Sequence, residues 1–510
     1  MSNFFDYIVE NKYRYCSFIV LLSVVFKILY FTLGKGLFDY YDVLGYTANG
    51  VCFIRDRAAW PGIAAYSGLE QGITSSSQLG VYPNHLFSLI IGLFFKFIGR
   101  VSILYFAYFS SAITIIGNIF LGFAVKKFFP DRRAALLLAL ILCNGTIWCN
   151  TNRPITDPWA WTVLMVIFWG MVTGRFNGFI VGVLIGIAGL LRGQMFQFLP
   201  ILPLLRQEKT GAVGFFKELF KILIGFLFTV YLFKALFCAF IEVQGNTVEF
   251  YTSMIKSYVD KLDAIDSIAW FLCHCSQLSY KHFPCALLFT IVFIFFKSKN
   301  SLDSFMKKMA IFSIITVLMP MICYSIITGV WCDARYYIYV IPMFYIVAYY
   351  FCSRLVNSRA KAILTIVFVS FSLYSGASFI CRETSHLSSF TKEAIYRGKL
   401  DVTDLTETEK FIKNNFHKNS ILVANYYFIS AYHCGRNLVY VPTVEEFRQG
   451  KANHLVDGIV LIKQIEVADE VMRGWLGLDS ITDNQGNMFI CVLRENKRLM
   501  HSAIFIPCKK

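Results

Sequence analysis

Long apolar runs, separated by short polar and basic segments, occupy the first three quarters of the chain. Eleven of these runs predict membrane-spanning helices, because an α-helix needs about 20 apolar residues to cross a bilayer. They are residues 16–34, 102–125, 134–151, 157–174, 178–192, 193–205, 214–238, 282–297, 309–328, 336–352 and 361–380. The runs 178–192 and 193–205 are short, which predicts a broken pair. The run 86–99 is shorter than a span and predicts an interfacial or re-entrant helix.

From about Leu400 the pattern changes to short β-rich runs, "ILVAN", "NLVYVP" and "DGIVLIK". Two helical stretches, "TETEKFIKNNF" and "TVEEFRQG", alternate with them, and Thr406 with Glu409 fits an N-terminal capping pair. Alternation of helix and strand predicts a small α/β domain of about one hundred residues. We therefore divide the chain into a membrane domain, 1–380, with a first outer loop at 35–101, and a second domain, 381–510.

The composition excludes an ordinary soluble protein. Hydrophobic residues make up 56% of the chain and charged residues only 16%, against about 25% charged in soluble domains. The formal charge is +16, yet residues 381–510 hold 17 Lys and Arg against 15 Asp and Glu, a difference of +2. The excess positive charge therefore lies between the apolar runs, where it predicts contacts with membrane lipids and argues against a nucleic-acid partner.

Basic clusters predict the topology, because cytoplasmic loops carry the excess of Lys and Arg. They lie at residues 12–14, 126–133, 175, 206–209, 297–308 and 354–361. With the N-terminus in the cytoplasm and 86–99 not spanning, every cluster falls on the cytoplasmic side. Eleven spans then place the C-terminal domain on the opposite side.

Acidic residues on the predicted outer side are the first candidates for chemistry. Asp39 and Asp42 lie in "LFDYYDVLGY", directly after the first span, where a carboxylate can accept a proton from an attacking hydroxyl. Asp157 follows Arg153 in "NRPITDP" and begins the fourth span. Each has a plain alternative: Asp39 and Asp42 as solvated loop residues, and Thr156 or Asp157 as a helix N-cap.

Basic side chains near the same boundary are candidates for binding phosphate. Arg335 opens the tenth span, and Arg192 lies inside an apolar segment, where ionisable residues are usually functional. His85 follows "YPN" in the first outer loop. A snorkelling anchor at Arg335, the end of a short span at Arg192 and an idle loop histidine at His85 are the alternatives. No motif predicts a cofactor or a metal site, and a divalent metal stays open.

Four stretches, taken in order, resemble the GT-C superfamily of glycosyltransferases, which use polyprenyl-phosphate sugars. "DYYDVLGYTANG" resembles the family's DExxY stretch, and "YPNHLF" its HPPL-type entry to a short helix. "AVKKFFPDRRAALLLALILCNGTIWCNTNRPITDPWAW" resembles its basic turn, apolar span and R…TD ending, and "DARYYIYVIP" its late RY…P stretch. Protein O-mannosyltransferases and the lipid A aminoarabinose transferase are the nearest group. The resemblance covers about residues 40–380.

The resemblance implies a polytopic α-helical membrane enzyme that transfers a sugar from a polyprenyl-phosphate donor to a glycan acceptor. Asp42 would be the catalytic base, Asp157 the second acidic residue and Arg335 a phosphate ligand, with Arg192, Arg153 or His85 assisting. Val43 stands where many members carry a second acid, which weakens the metal-binding option. Size and topology resemble the bacterial and prophage glucosyltransferases that modify O-antigen at the periplasmic face of the inner membrane. The alternative function is a transporter, flippase or polymerase of polyprenyl-linked glycans.

Overall fold

The structure is a computed structural model of the chain. It describes residues 2–32, 46–47, 50, 53–54, 63–64, 85–99, 103–153, 155–206, 211–241, 285–321, 336–385, 405–417, 420–424, 437–440, 444–448, 457–464, 477–483, 485–496 and 500–508. The chain divides into two compact units. The first comprises Met1–Phe38, Ala107–Phe233 and Lys261–Arg397, and the second Asp39–Phe106, Lys234–Asp260 and Gly398–Lys510. The second unit therefore joins the predicted first outer loop with the predicted C-terminal domain.

Helices account for most of the described part of the first unit, and the second unit contains three of the helices given below, at residues 85–98, 406–415 and 444–448. In chain order, the described α-helices are α1 Ser2–Glu10, α2 Lys12–Thr32, α3 His85–Ile98, α4 Ile103–Phe128, α5 Arg132–Leu142, α6 Gly145–Asn150, α7 Thr156–Val172, α8 Gly178–Leu191, α9 Ala212–Phe240, α10 Ala286–Phe295, α11 Ser301–Met321, α12 Ile341–Arg354, α13 Ser358–Ser385, α14 Thr406–Asn415 and α15 Val444–Arg448.

Among the described residues, four helices are long and apolar enough to cross a membrane. They are Lys12–Phe31, Tyr105–Phe128, Ala212–Phe240 and Ser358–Ser378. These coincide with the predicted spans 16–34, 102–125, 214–238 and 361–380. Most other predicted spans contain shorter helices, so the total of eleven stays a prediction.

The predicted short span 193–205 is not an α-helix. It forms two 3₁₀ segments, Gly193–Phe198 and Leu202–Leu205. Pro200 and Pro203 lack the backbone N–H that an α-helix would use here. A 3₁₀-helix rises about 2.0 Å per residue, so the two segments of six and four residues alone reach about 20 Å, close to the length of about 21 Å of α8, which has 14 residues. The segment thus returns along α8: it begins beside Arg192, and Arg206 at its end lines a cavity with Arg175, at the other end of that helix.

The path between α2 and α4 bears on the run 86–99. The rings of Phe31, near the end of α2, and Tyr108, near the start of α4, lie 4.8 Å apart between centroids. The end of α2 and the start of α4 therefore lie together at one end of the first unit. Helix α3 has 14 residues, about 21 Å. That the run does not cross the membrane by itself stays a prediction.

Basic segments from distant parts of the sequence meet at one end of the helices, called here the basic end. Lys126 donates a hydrogen bond to the Val9 carbonyl, and the rings of Phe128 and Phe305 stack with centroids 5.7 Å apart. Arg354 pairs with Asp303 at 3.2 Å. The segments 126–133, 299–308 and 354 thus lie together, as the charge pattern predicts for loops on one side of a membrane.

Glycines bring α8 and α9 into close contact. A Cβ added at Gly182 would lie 2.1 Å from the Ile222 carbonyl oxygen, and one at Gly225 would lie 2.2 Å from that of Phe179. Gly178, Gly182 and Gly186 recur every fourth residue, a spacing that lets helix backbones approach in membranes. This pairing places the N-terminal end of α8 beside that of α9, where Gly178 lies against Glu218 and Lys221.

The second unit is built on a seven-stranded mixed sheet with the order β1-β3-β2-β4-β7-β6-β5. The strands are β1 Ile63–Ala64, β2 Ile421–Ala424, β3 Asn437–Tyr440, β4 Gly458–Gln464, β5 Ser480–Thr482, β6 Met488–Asn496 and β7 Met500–Pro507. Strands β2 to β4, with α14 and α15, are the predicted α/β elements. Strands β5 to β7 form an antiparallel extension, and β1 is an edge strand supplied by the first outer loop.

The capping pair predicted at Thr406 and Glu409 is wrong. The residue that caps α14 is Leu405, and its side chain makes no capping hydrogen bond. The carboxylate of Glu495, on β6, accepts a hydrogen bond from the Thr408 backbone N–H at 2.8 Å instead. A negative side chain at a helix N-terminus is favourable whichever part of the chain supplies it, and only the folded sheet reveals this one.

Candidate functional site

Asp157 is the second residue of α7, and its side chain is fully buried. The predicted alternative, a helix cap made by Thr156 or Asp157, does not hold. Ile155 occupies the N-cap position and makes no side-chain hydrogen bond. The carboxylate of Asp157 therefore does not cap α7. It contacts side chains from other segments, Arg192 and Tyr339.

Arg192 supplies the positive charge beside this carboxylate. It ends α8, its side chain is only 4% exposed, and its Nη1 pairs with Asp157 Oδ1. The same nitrogen lies 3.4 Å from Thr156 Oγ1. The guanidinium also lies 5.4 Å from the ring centre of Tyr336 and 5.9 Å from that of Tyr339, within the range of cation–π attraction. The apolar helix α8 can end in a buried arginine because the Asp157 carboxylate pairs with its charge and two tyrosine rings lie beside it.

Tyr339 completes the cluster. Its hydroxyl donates a hydrogen bond of 2.8 Å to Asp157 Oδ1. Asp157 Oδ1 thus holds both partners, whereas Oδ2 is buried and accepts no hydrogen bond from the part of the chain that the structure describes. A buried carboxylate oxygen without a donor is costly. It marks the side from which a donor, such as a hydroxyl group or a water molecule, can approach.

A second polar cluster holds the loop that leads into α7. Lys27, in α2, is buried and donates hydrogen bonds to Thr114 Oγ1 and to Asn152 Oδ1, the latter at 2.9 Å. Ser111 Oγ donates to the same Asn152 oxygen at 2.8 Å. Asn152 Nδ2 donates in turn to the Trp148 carbonyl. The segment before Asp157 is thus tied to α2 and α4 through one lysine.

Lys27 has only neutral hydrogen-bond partners among the described residues, and this leads to a stability prediction. We expect Lys27→Met to leave the free energy of unfolding unchanged or raised, because apolar replacement of a buried ionic group is often neutral or stabilising. Asn152→Leu should lower the free energy by about 1–3 kcal/mol, because it removes one of the two acceptors of the buried ammonium group and leaves Thr114 Oγ1 as the other. Denaturation of the purified protein in mixed micelles measures both. A larger loss for Lys27→Met than for Asn152→Leu would contradict this account.

The remaining predicted site residues are dispersed or lie outside the described residues. Asp39, Asp42 and Arg335 fall outside them. Arg153 follows Asn152 in the loop that Lys27 holds, and its Nη1 lies 3.4 Å from Asn150 Oδ1. The predicted positions thus converge only in part, at Asp157 and Arg192.

His85 belongs to the second unit. Its ring lies 5.9 Å from the ring of Phe53 and 5.0 Å from that of Phe237, between centroids. Burial lowers the pKa of His85 to about 4, so the imidazole is neutral at pH 7. A neutral ring offers a phosphate one N–H donor and no charge, which makes His85 a weaker candidate than the arginines.

Metal and disulfide chemistry find little support in the described residues. Within them, no group of three or more His, Cys, Asp or Glu side chains converges. Cys491 and Cys508 carry free thiols, and Cys434 lies outside the described part of the chain. A divalent metal bound by other residues of the chain is not tested by this observation.

Two residues of these clusters, Lys27 and Tyr339, are not among the site residues predicted from the sequence. Lys27 is the lone charged residue in the run 16–34, and an ionisable residue inside a span is itself a signal of function or of a buried network. Tyr339 gives no such signal, because tyrosines are common at membrane boundaries. Only the fold reveals its hydrogen bond to Asp157.

No family model matches the sequence, and no curated protein matches it. Among solved structures, an oligosaccharyltransferase of Archaeoglobus fulgidus in complex with Zn and sulfate aligns with a TM-score of 0.49 and 10% identity over 88% of this chain and 67% of its own. ArnT from Cupriavidus metallidurans bound to undecaprenyl phosphate aligns with a TM-score of 0.45 and 12% identity over 96% of this chain and 98% of its own. These likenesses lie below a TM-score of 0.5 and carry no argument about the chemistry of this chain.

Proposed function

We propose that the protein is a membrane glycosyltransferase of the GT-C kind. It transfers a sugar from a polyprenyl-phosphate donor to a glycan acceptor, with glucose and O-antigen as the favoured pair, at the periplasmic face of a bacterial inner membrane. One observation carries the proposal. Asp157 and Tyr339 belong to two of the four stretches that resemble the family, and they are hydrogen bonded to each other.

The proposed reaction is a direct displacement at the anomeric carbon. The acceptor oxygen forms a bond to this carbon while the bond from the carbon to the phosphate oxygen breaks, and the electron pair leaves with the polyprenyl phosphate. Asp42 takes the proton of the acceptor hydroxyl as general base. One base without a paired nucleophile favours inversion of the anomeric centre. The leaving phosphate gains negative charge, which Arg335 is suited to stabilise as a planar, permanently charged donor.

The buried cluster refines the roles of Asp157 and Arg192. Because Arg192 compensates the charge of Asp157, we assign it a positioning role rather than direct contact with the phosphate. Asp157 then presents Oδ2 toward the acceptor or a water molecule, with its orientation fixed by Arg192 and Tyr339. The Lys27 network fixes the loop from which α7 begins. These residues would hold one side of the site in a fixed arrangement, and Asp42 would supply the base.

The experiment is a transfer assay with purified protein in detergent. Undecaprenyl-phosphate glucose, labelled in the sugar, is incubated with O-antigen glycans, and donors carrying mannose or aminoarabinose are run in parallel. We expect the label to move to an acceptor while undecaprenyl phosphate accumulates in equal amount.

The same assay distinguishes the proposal from its main competitor. A flippase needs two leaflets, so it gives no product in micelles but moves labelled lipid across proteoliposomes. Translocation without transfer to any acceptor would overturn the enzymatic proposal. Transfer with mannose or aminoarabinose alone would retain the reaction class and reject glucose as the sugar.

A further inference from the structure

A basic cavity lies where α7 ends and α8 and α9 begin, away from the Asp157–Arg192 cluster. It is lined by Gly174, Arg175, Phe176, Asn177, Arg206, Gly214, Glu218 and Lys221, and its volume is about 320 Å³. Asp157 begins α7 and Arg175 follows its end, so the length of that helix separates the cavity from the candidate site. The cavity therefore plays no part in the proposed transfer reaction.

Charge in the cavity is unbalanced. It holds three cations, Arg175, Arg206 and Lys221, against one carboxylate, Glu218. Arg206 Nε donates to Glu218 Oε1 at 2.9 Å, and Lys221 Nζ lies 3.7 Å from Oε2. Both carboxylate oxygens are thus engaged, and one negative charge faces three positive ones.

Arg175 is the cation of the cavity that lies outside the Glu218 ion pairs. Its guanidinium lies 5.0 Å from the ring centre of Trp169, and within the described residues it pairs with no carboxylate. Gly174, at φ +68°, gives the preceding turn a left-handed backbone, which glycine adopts readily. This turn keeps Arg175 beside Trp169 at the end of α7. An exposed cation in the lining of a cavity is suited to an anion.

The surroundings indicate an anion that is attached to a hydrocarbon chain. Helices α8 and α9, which flank the cavity, expose Phe179, Val213, Phe216 and Phe220, with 84% of Val213 and 64% of Phe220 accessible. Exposed aromatic and aliphatic side chains of this kind face lipid when a helix crosses a bilayer. The cavity therefore opens where a phospholipid can place its headgroup among cations and its acyl chains along an apolar surface.

We propose that this cavity binds the phosphate headgroup of an anionic phospholipid. Its volume lies at the lower end of the range of about 300–1,000 Å³ that is common for ligand sites, enough for a headgroup but not for a complete lipid. The close contact of α8 with α9 at Gly178 and Gly182 makes the site rigid, because both flanking helices are held backbone to backbone. The proposal does not rest on the proposed transfer activity.

Lipid retention by the full-length protein tests the proposal. The double variant Arg175→Gln/Lys221→Gln removes two cations and keeps the Arg206–Glu218 pair. Lys217→Gln, on the same helix but outside the cavity, is the matched control. Each protein is exchanged into nanodiscs of phosphatidylcholine with phosphatidylglycerol or cardiolipin, then released for native mass spectrometry.

We expect the wild type and Lys217→Gln to retain anionic lipid over phosphatidylcholine, and the double variant to lose that preference by about thirtyfold. Equal retention by the double variant and the wild type would overturn the proposal, as would equal retention of phosphatidylcholine. Inorganic phosphate is added in a parallel arm. If it displaces the lipid and stabilises lipid-free protein to the same degree, the site belongs to a soluble phosphate and the lipid assignment fails.

Discussion

Replacing Arg192 by methionine is expected to lower the free energy of unfolding by about 3–5 kcal/mol, the usual cost of leaving one partner of a buried ion pair without compensation. The Asp157 side chain is fully buried, and the hydroxyl of Tyr339 donates a hydrogen bond but brings no charge. The loss should therefore be close to the upper end of this range. Titration with SDS in mixed micelles measures it.

The double variant Asp157→Asn/Arg192→Met distinguishes charge compensation from simple packing. With both charges removed, the free energy of unfolding should recover by several kcal/mol relative to Arg192→Met, since neutral side chains of similar volume replace a buried pair at little cost. Recovery of stability without recovery of sugar transfer would assign the Asp157–Arg192 pair a role in the reaction beyond stability. No recovery at all would mean that packing, not charge, holds α8 in place.

Arg354→Met is the matched control, since it also breaks an arginine–aspartate pair within the first unit. Arg354 pairs with Asp303 at 3.2 Å, but its side chain is 31% exposed. Asp303 is itself buried, but it also accepts hydrogen bonds from the Tyr350 hydroxyl and the Lys299 backbone N–H. Because the arginine is partly exposed and the carboxylate keeps these donors, we expect a smaller loss than for Arg192→Met. If Arg354→Met and Arg192→Met lower the free energy of unfolding equally, burial is not what makes the Asp157–Arg192 pair important.

The helices were predictable because apolar periodicity and length depend on local sequence. Pro200 and Pro203 set the limit of that approach: the run 193–205 is apolar enough for a span, but its prolines impose a 3₁₀ path that is longer per residue. Its ends still lie where the charge pattern predicts, with Arg192 at one end of α8 and Arg206 at the other. The side of the membrane on which each end lies stays a prediction.

The site was predictable only as a set of separate residues. Asp157 and Arg192 each stood out as an ionisable group beside or inside an apolar run, yet nothing in the sequence pairs them, because contact between positions 35 residues apart depends on how α7 and α8 pack. Edge strand β1 and the cap of α14 by Glu495 are similar cases. Both contacts join segments that are far apart in the chain, so the local sequence pattern does not predict them.

Replacing Asp42 by asparagine is expected to lower the rate of sugar transfer by about 10²–10⁴-fold, the usual contribution of a general base. Asparagine keeps the shape of the side chain but cannot take the hydroxyl proton. The turnover number at saturating donor and acceptor is the measurement, because loss of a proton acceptor affects the chemical step more than binding. Membrane insertion and elution from size-exclusion chromatography should match the wild type.

Asp39→Asn is the companion variant, three positions away in the same aromatic stretch. If Asp42 is the base, Asp39→Asn should retain turnover within a few-fold of the wild type. The reverse pattern would move the role to Asp39 and leave the one-base displacement intact. Near-normal turnover in both variants would exclude either carboxylate as the base. Asp157, the one buried acid already held in the candidate site, would then be the group to test for accepting the proton through Oδ2.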